Sequence, residues 1–354
     1  MKFSFSSFHQ RCARGAAVIL LAGSSLAAAC GGQSPSTLIG SLQYPGPVAI
    51  DGSNAFVTTS DPMGNLVASA TGKPAWEAYI AEVPIGGGRA KRLATIAGPP
   101  ITGIAVQAST VYFACAGNGT VASLAPGEAQ PQLLASGQHE PWAIAVDRTH
   151  VYFTTRGTQD NLNGGVVRVP LAGGPIQVIA SGLSAPMHLA LDDANVYVST
   201  LGQRAQNYED SKVVRIPKAG GAQEVVATSH GPISGLAADG KSVYWITAGT
   251  RAADGQVTRL DRDTTQPVML ASNQPSPTGL AIDEATVFWT SWAGDVRKVG
   301  KRGGTPTTIV SGQDRPTDIV ANSSVLVWAN LGKIDGERSL DGALVVLRKN
   351  VLVD

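Results

Sequence analysis

The chain has 354 residues, of which 41 are Gly and 21 Pro; 43% are apolar and only 15% charged. That is too apolar and too little charged for a disordered chain. Gly and Pro are too frequent and too evenly spread for a helical bundle, and no Gly-X-Y period points to collagen. The formal net charge is +1, and no block of like charges suggests DNA or RNA as a partner, so nucleic acid is excluded from the expected ligands.

The first segment reads as an export signal. Lys2, Arg11 and Arg14 form a basic start, Ala16 to Ala22 an apolar core, and small residues run from Gly23 to Ala29. This stretch is too short for a stable membrane span. It ends Leu26-Ala27-Ala28-Ala29-Cys30-Gly31-Gly32, which resembles a bacterial lipobox. The resemblance implies a signal peptide over 1–29, a lipidated Cys30 and a tether over 30–36. The alternative is ordinary cleavage after Ala29, leaving Cys30 an idle thiol. Gly31 is not the Asp that commonly retains such proteins in the inner membrane, so the resemblance points to the outer membrane. The three leader cations are part of 27, so the rest of the chain carries 24 basic against 26 acidic groups. With Cys12 in the leader and Cys30 acylated, Cys115 is left alone, and no intrachain disulfide is expected.

Beyond the leader one unit recurs seven times. Its first half ends at Asp51, Gln107, Asp147, Asp192, Asp239, Asp283 and Asn322, spaced 56, 40, 45, 47, 44 and 39 residues apart. Each is preceded by a motif such as Ile144-Ala145-Val146 or Leu280-Ala281-Ile282. Four residues after each, a second run begins, at Ala55, Val111, Val151, Val196, Val243, Val287 and Leu326. The fixed offset describes two strands joined by a tight turn for which the Asp supplies the chemistry. A third strand follows, as in Val166 to Pro170 and Val213 to Pro217. Then come a Gly-Gly turn and a fourth strand such as Ile176 to Ala180. Four short strands per ~40–45 residues is the period of a β-propeller blade. The expected fold is all-β, a seven-bladed propeller over 37–354. The last copy offers only one further strand, about Ala343 to Arg348. Thr37 to Ser41 precedes the first copy as Thr308 to Ser311 precedes the seventh. Residues 37–42 are therefore expected to complete the last blade and close the ring.

The pattern Leu-Ala-x-Asp followed by Val-Tyr-Trp, with Tyr244-Trp245-Ile246-Thr247 and Phe288-Trp289-Thr290-Ser291, resembles the YWTD, NHL and TolB-like propellers. Two features depart from the YWTD class: seven copies where that class has six blades, and Thr59, Cys115, Thr155, Thr200, Thr247, Ser291 and Asn330 where it has a closing Asp. Its ligand-binding residues are not carried over. Among similar propellers, gluconolactonases carry a metal at the channel mouth, and virginiamycin B lyase is a seven-bladed enzyme.

The loops after the second strand are long, about 60–77, 156–164, 201–211, 248–255 and 330–342, and their face is the expected binding surface. Small residues precede the Ile/Leu at the channel mouth in most copies, but His188 and Asp318 stand there in copies four and seven. The expectation is an envelope lipoprotein, anchored in the membrane through Cys30. It would act as a monomeric binding or scaffolding module without a cofactor. An unidentified protein, small molecule or glycan would meet it near Trp142, Arg156, His188, Tyr208 and Asp318. The alternative is a lactonase- or lyase-like enzyme using His188 and Asp318, with a divalent cation at the mouth. A third reading is an assembly partner contacting proteins through a blade edge. Arg168, Arg215, Arg259 and Lys298 recur at one strand-three position, either as a basic ridge or as stems covering apolar surface. His139, His150 and His230 show no metal-ligand spacing.

Overall fold

A computed structural model describes residues 34–61, 77–98, 100–157, 163–202, 208, 210–229, 231–249, 253–335, 338–339 and 341–349. The leader, Cys30 and His230 lie outside these, as do parts of the long loops. The described chain forms seven four-stranded antiparallel sheets. Blades 1 to 6 begin at Pro45, Ile101, Pro141, Pro186, Ile233 and Pro277 and run inner to outer in chain order. Their innermost strands pack in sequence, and the first strand of blade 7, Pro316–Ala321, packs back on Pro45–Asp51, so the ring is closed. Blade 7 takes its outermost strand from the other end of the chain. Ser36–Leu42 pairs antiparallel with Gly342–Arg348, as expected from the sequence. A two-residue hairpin, Ile334–Asp335 with Arg338–Ser339, was not anticipated.

Each second strand is buried on both faces, which is why it reads as an uninterrupted apolar and hydroxyl run; every residue of Ser242–Thr247 and Val325–Asn330 is buried. The turn before it is an Asx turn. Asp147 Oδ1 accepts the amides of Thr149 (2.9 Å) and His150 (2.9 Å). Asp192, Asp239, Asp283 and Asn322 repeat the arrangement. On the same side of the ring, the turn from third to fourth strand needs Gly173 and Gly174, with φ of 82° and 132°.

The core is divided by seam. Seven clusters of buried residues occur, each formed by the facing sheets of two adjacent blades. Blades 7 and 1 share Leu42, Val57, Val83, Val327 and Leu344; blades 4 and 5 share Tyr197, Val213, Val243, Trp245 and Leu260. No sheet buries both faces alone, so stability follows from stacking. Buried Cys115 carries a free thiol that donates to the Gly98 carbonyl at 2.9 Å, and burial pushes its pKa up.

Candidate functional site

The antiparallel order places the start of every innermost strand on one face of the ring, together with the loops after the second strands. This mouth face holds all five candidate residues. Two positions of the innermost strand decide its character. The second position reads Gly46, Thr102, Trp142, Met187, Ser234, Thr278 and Thr317 from blade 1 to blade 7, and the third reads Pro47, Gly103, Ala143, His188, Gly235, Gly279 and Asp318.

Three of the four hydroxyls at the second position tie blades together. Thr102 Oγ1 donates to the Pro141 carbonyl of blade 3 (2.8 Å), Ser234 Oγ to Pro277 of blade 6 (2.9 Å) and Thr278 Oγ1 to Pro316 of blade 7 (2.9 Å). The glycines beside them are required by the neighbouring blade: a Cβ on Gly103 would lie 2.7 Å from the Trp142 carbonyl.

His188 and Asp318 fall in this pattern of ties. The His188 ring donates to the Ile233 carbonyl of blade 5, where Met187 supplies no hydroxyl. Burial lowers its pKa to about 4, so the ring is neutral at pH 7. Asp318 Oδ2 accepts the Val48 amide of blade 1 at 2.8 Å, and Oδ1 accepts the Ile319 amide at 3.0 Å. Burial nevertheless pushes its pKa up to about 6, outweighing those two donors. The two residues sit in blades 4 and 7 and are joined by no hydrogen bond or ion pair among the described residues; each bonds to the next blade instead.

Two other candidates do meet. The Arg156 guanidinium lies over the Trp142 ring, 4.6 Å from its centroid. The Arg156 amide donates to the Glu140 carbonyl at 3.0 Å, which fixes where the side chain leaves the blade. Tyr208 lies above blade 4, with φ of 63°, and its carbonyl accepts the Ser211 hydroxyl at 2.9 Å. Trp142, Arg156, Met187, His188 and Tyr208 thus belong to two adjacent blades, and Asp318 stands apart from them. Among the described residues no group of three or more His, Cys, Asp or Glu is placed to hold a metal ion.

The opposite face holds a device that sequence reading missed. Lys218 of blade 4 pairs with Asp147 of blade 3 (2.8 Å), Lys301 of blade 6 with Asp239 of blade 5 (2.5 Å), and Lys349 of blade 7 with Asp283 of blade 6 (2.6 Å). Each ammonium also lies near an aromatic ring, Tyr152, Tyr244 or Phe288. Arg262 takes the same place toward Asp192, at 4.0 Å. Burial would raise these carboxyls, but the lysine and two backbone amides hold Asp147, Asp239 and Asp283 below the usual range. Arg168, Arg215 and Arg259 also cross seams, donating to the carbonyls of Lys218 (2.6 Å), Arg262 (3.4 Å) and Lys301 (2.6 Å). They are joints between blades, and Lys298 is exposed. The signal was present as a cation five residues past the buried third-strand Val213, Val257 or Val296; its partner lies 62 to 71 residues away.

On the outer rim, Leu133, Val178, Val225 and Met269 occupy one bulged position in four consecutive blades and are 52–67% exposed. The matching residue is Arg92 in blade 1 and Thr308 in blade 6.

No protein-family model matches the chain, and no curated protein is significantly similar to it in sequence. Many solved structures share the architecture. A puromycin-hydrolysing peptidase of Mycobacterium tuberculosis aligns at 12% identity and a TM-score of 0.61, over 85% of this chain and 53% of that one. A puromycin hydrolase aligns at 12% identity and 0.61, over 81% and 50%. The chain therefore spans about half the length of these two proteins. The computationally designed Ika8 protein aligns at 16% identity and 0.56, over 83% of each chain. A nidogen/laminin complex aligns at 18% identity over 63% of this chain and 86% of that one, with a TM-score of 0.49. The three likenesses with TM-scores of 0.56 to 0.61 agree with the propeller fold.

Proposed function

We propose that this protein is a binding module held at the cell envelope by a lipid on Cys30, with its ligand seated on the mouth face over blades 3 and 4. One observation carries the location. Side chains suited to ligand contact replace the seam-tying hydroxyls in those two adjacent blades: Trp142 under Arg156, then Met187. In three of the other blades that position holds a hydroxyl already committed to joining blades. Binding surfaces in rigid scaffolds concentrate in such loop-rimmed sectors. An enzyme using His188 and Asp318 fits less well, because both side chains already hold backbone groups of neighbouring blades, and catalysis needs polar groups converging on one point.

Native mass spectrometry of protein purified from the envelope tests the location. A bound mass is expected on the wild type, lost in Trp142→Ala/Met187→Ala and kept in the rim control Arg92→Ala. No bound mass, or the same mass on all three, refutes the assignment. Anchoring is tested separately: Cys30→Ala is expected to move the protein from the membrane fraction to the soluble one, and retention at the membrane would show that the lipid is not there.

A further inference from the structure

The sector over blades 3 and 4 has a charge as well as a shape. This inference rests on the binding reading above and names the chemistry of the ligand. We propose that the blade 3–4 mouth takes a small anion carried on a flat apolar body, with Arg156 pairing the anion and Trp142 and Met187 contacting the body.

The charge argument starts from which cations are already matched. Lys218, Lys301 and Lys349 pair with aspartates across seams, and Arg215 with Glu224 at 2.6 Å. Arg156 makes no ion pair among the described residues; its one ring contact is Trp142. The guanidinium carbon lies 4.6 Å from the indole centroid, so the cation is placed against the ring before any ligand arrives, and its N–H donors form a planar fork. Glu140, which accepts the Arg156 amide through its carbonyl, has an exposed side chain that does not pair with it. His188 is neutral at pH 7 because burial disfavours its charged form, and Asp210 is a further described carboxylate at this end of blade 4. Asp318 lies three blades from both blade 3 and blade 4, bonded to Val48. Arg156 is therefore the cation placed against the aromatic surface of the sector.

The shape argument rests on the second position of the innermost strand. Four blades place Thr or Ser there, and three of these hydroxyls bond the next blade. Blades 3 and 4 instead place half-buried Trp142 and Met187, an indole and a polarizable thioether suited to a flat partner. A fork-shaped cation beside an aromatic surface favours a carboxylate, sulfonate or phosphate attached to a ring over a bare inorganic ion.

Calorimetric titration of the mature chain with 1-naphthoate and with uncharged 1-naphthalenemethanol tests this. The acid is expected to bind one site per chain and the alcohol more weakly. Arg156→Gln should weaken the acid at least about tenfold and leave the alcohol unchanged. Arg156→Lys, which keeps the charge without the fork, should lose part of that affinity, and Trp142→Ala should weaken both probes. If acid and alcohol bind equally and only Trp142→Ala matters, the anion inference falls while the binding sector stands. If naphthoate binds and neither substitution affects it, both fall. No naphthoate binding overturns the anion inference, and the mass-spectrometric test still decides the sector. Unchanged thermal melts would show that lost binding is not lost folding.

Discussion

Four consecutive seams, from blade 3 round to blade 7, carry a cation facing a carboxylate on the face away from the mouth. The three seams from blade 7 through blades 1 and 2 to blade 3 have Ile85, Pro126 and Leu171 where the cation would be. Their facing turn residues are Asn322, Asp51 and Gln107. Asp51 accepts the Ser109 amide of blade 2 at 2.6 Å instead. The apolar clusters vary in the opposite sense. The seams without the pair bury 12, 13 and 10 clustered residues, and the seams with it 9, 7, 9 and 8. Ile85 is itself a member of the blade 7–1 cluster, and Leu171 packs on the blade 2–3 cluster. In blades 1 and 3 this position therefore extends the core with an apolar residue, whereas in blades 4 to 7 a cation there bonds across the seam; in blade 2 the exposed Pro126 does neither. Ring closure lies in the apolar arc, where the seam must hold a strand brought from the far end of the chain.

The comparison is broken most severely at that closure. Leu42 is 1% exposed and belongs to the blade 7–1 cluster. Leu42→Ala is expected to cost about 3 kcal/mol in chemical denaturation, for lost burial plus the cavity left behind. A loss below about 1 kcal/mol would mean that the terminal strand is not needed to hold the ring shut. Next comes the latched arc. Lys301→Met keeps the stem but leaves Asp239 facing Tyr244 without its ammonium. A loss of about 2 kcal/mol is expected from a carboxylate left partly buried and unpaired, and Lys301→Met/Asp239→Asn should recover most of it. If the double variant is no better than the single, the pair is not what joins the blades.

The ring was legible because its signal is local. Two strands and an Asx turn fit inside about a dozen residues, so Asp147 and His150 disclose their relation within one window. Closure was legible because Thr37 to Ser41 matches the strand that precedes the seventh copy. The latches were not, because Lys218 meets Asp147 only after a full blade has been built between them. The same holds at the mouth. His188 and Asp318 differ from their neighbours in the repeat, which marks them for attention, but their partners Ile233 and Val48 are set by which blades adjoin. The Arg156–Trp142 contact is likewise a tertiary one, although both residues were singled out.

Acid separates the aspartates of the two faces. Asp147, Asp239 and Asp283 have depressed pKa values, so their contribution is complete above the unfolded value of about 4 and is lost as pH falls below it. Asp318 has the opposite sign. Its folded value of about 6 lies above the unfolded one, so its contribution is complete below about pH 4 and is lost as pH rises through 6. Between pH 5 and pH 7.5 the wild type is expected to lose about 1 kcal/mol relative to Asp318→Asn, whatever the offset between the two at a single pH. Parallel stability profiles over that range would show that the carboxyl is not raised.

The smallest expected effect tests the comparison most directly, because it moves a latch into the apolar arc. Ile85→Lys with Asn322→Asp would copy the blade 3–4 arrangement into the closing seam. The Asx turn should survive, since Asn322 already receives the Ser324 and Val325 amides on Oδ1 at 2.8 and 2.9 Å. Ile85→Lys alone should cost about 2 kcal/mol, because it removes a residue that is 6% exposed from the cluster. Adding Asn322→Asp should restore most of this, leaving the double variant within about 0.5 kcal/mol of the wild type, as buried pairs and apolar isosteres often break even. A coupling energy near zero in that double-mutant cycle would mean that latch and apolar seam are not interchangeable, and that the blades around the closure are held at a spacing the lysine cannot bridge.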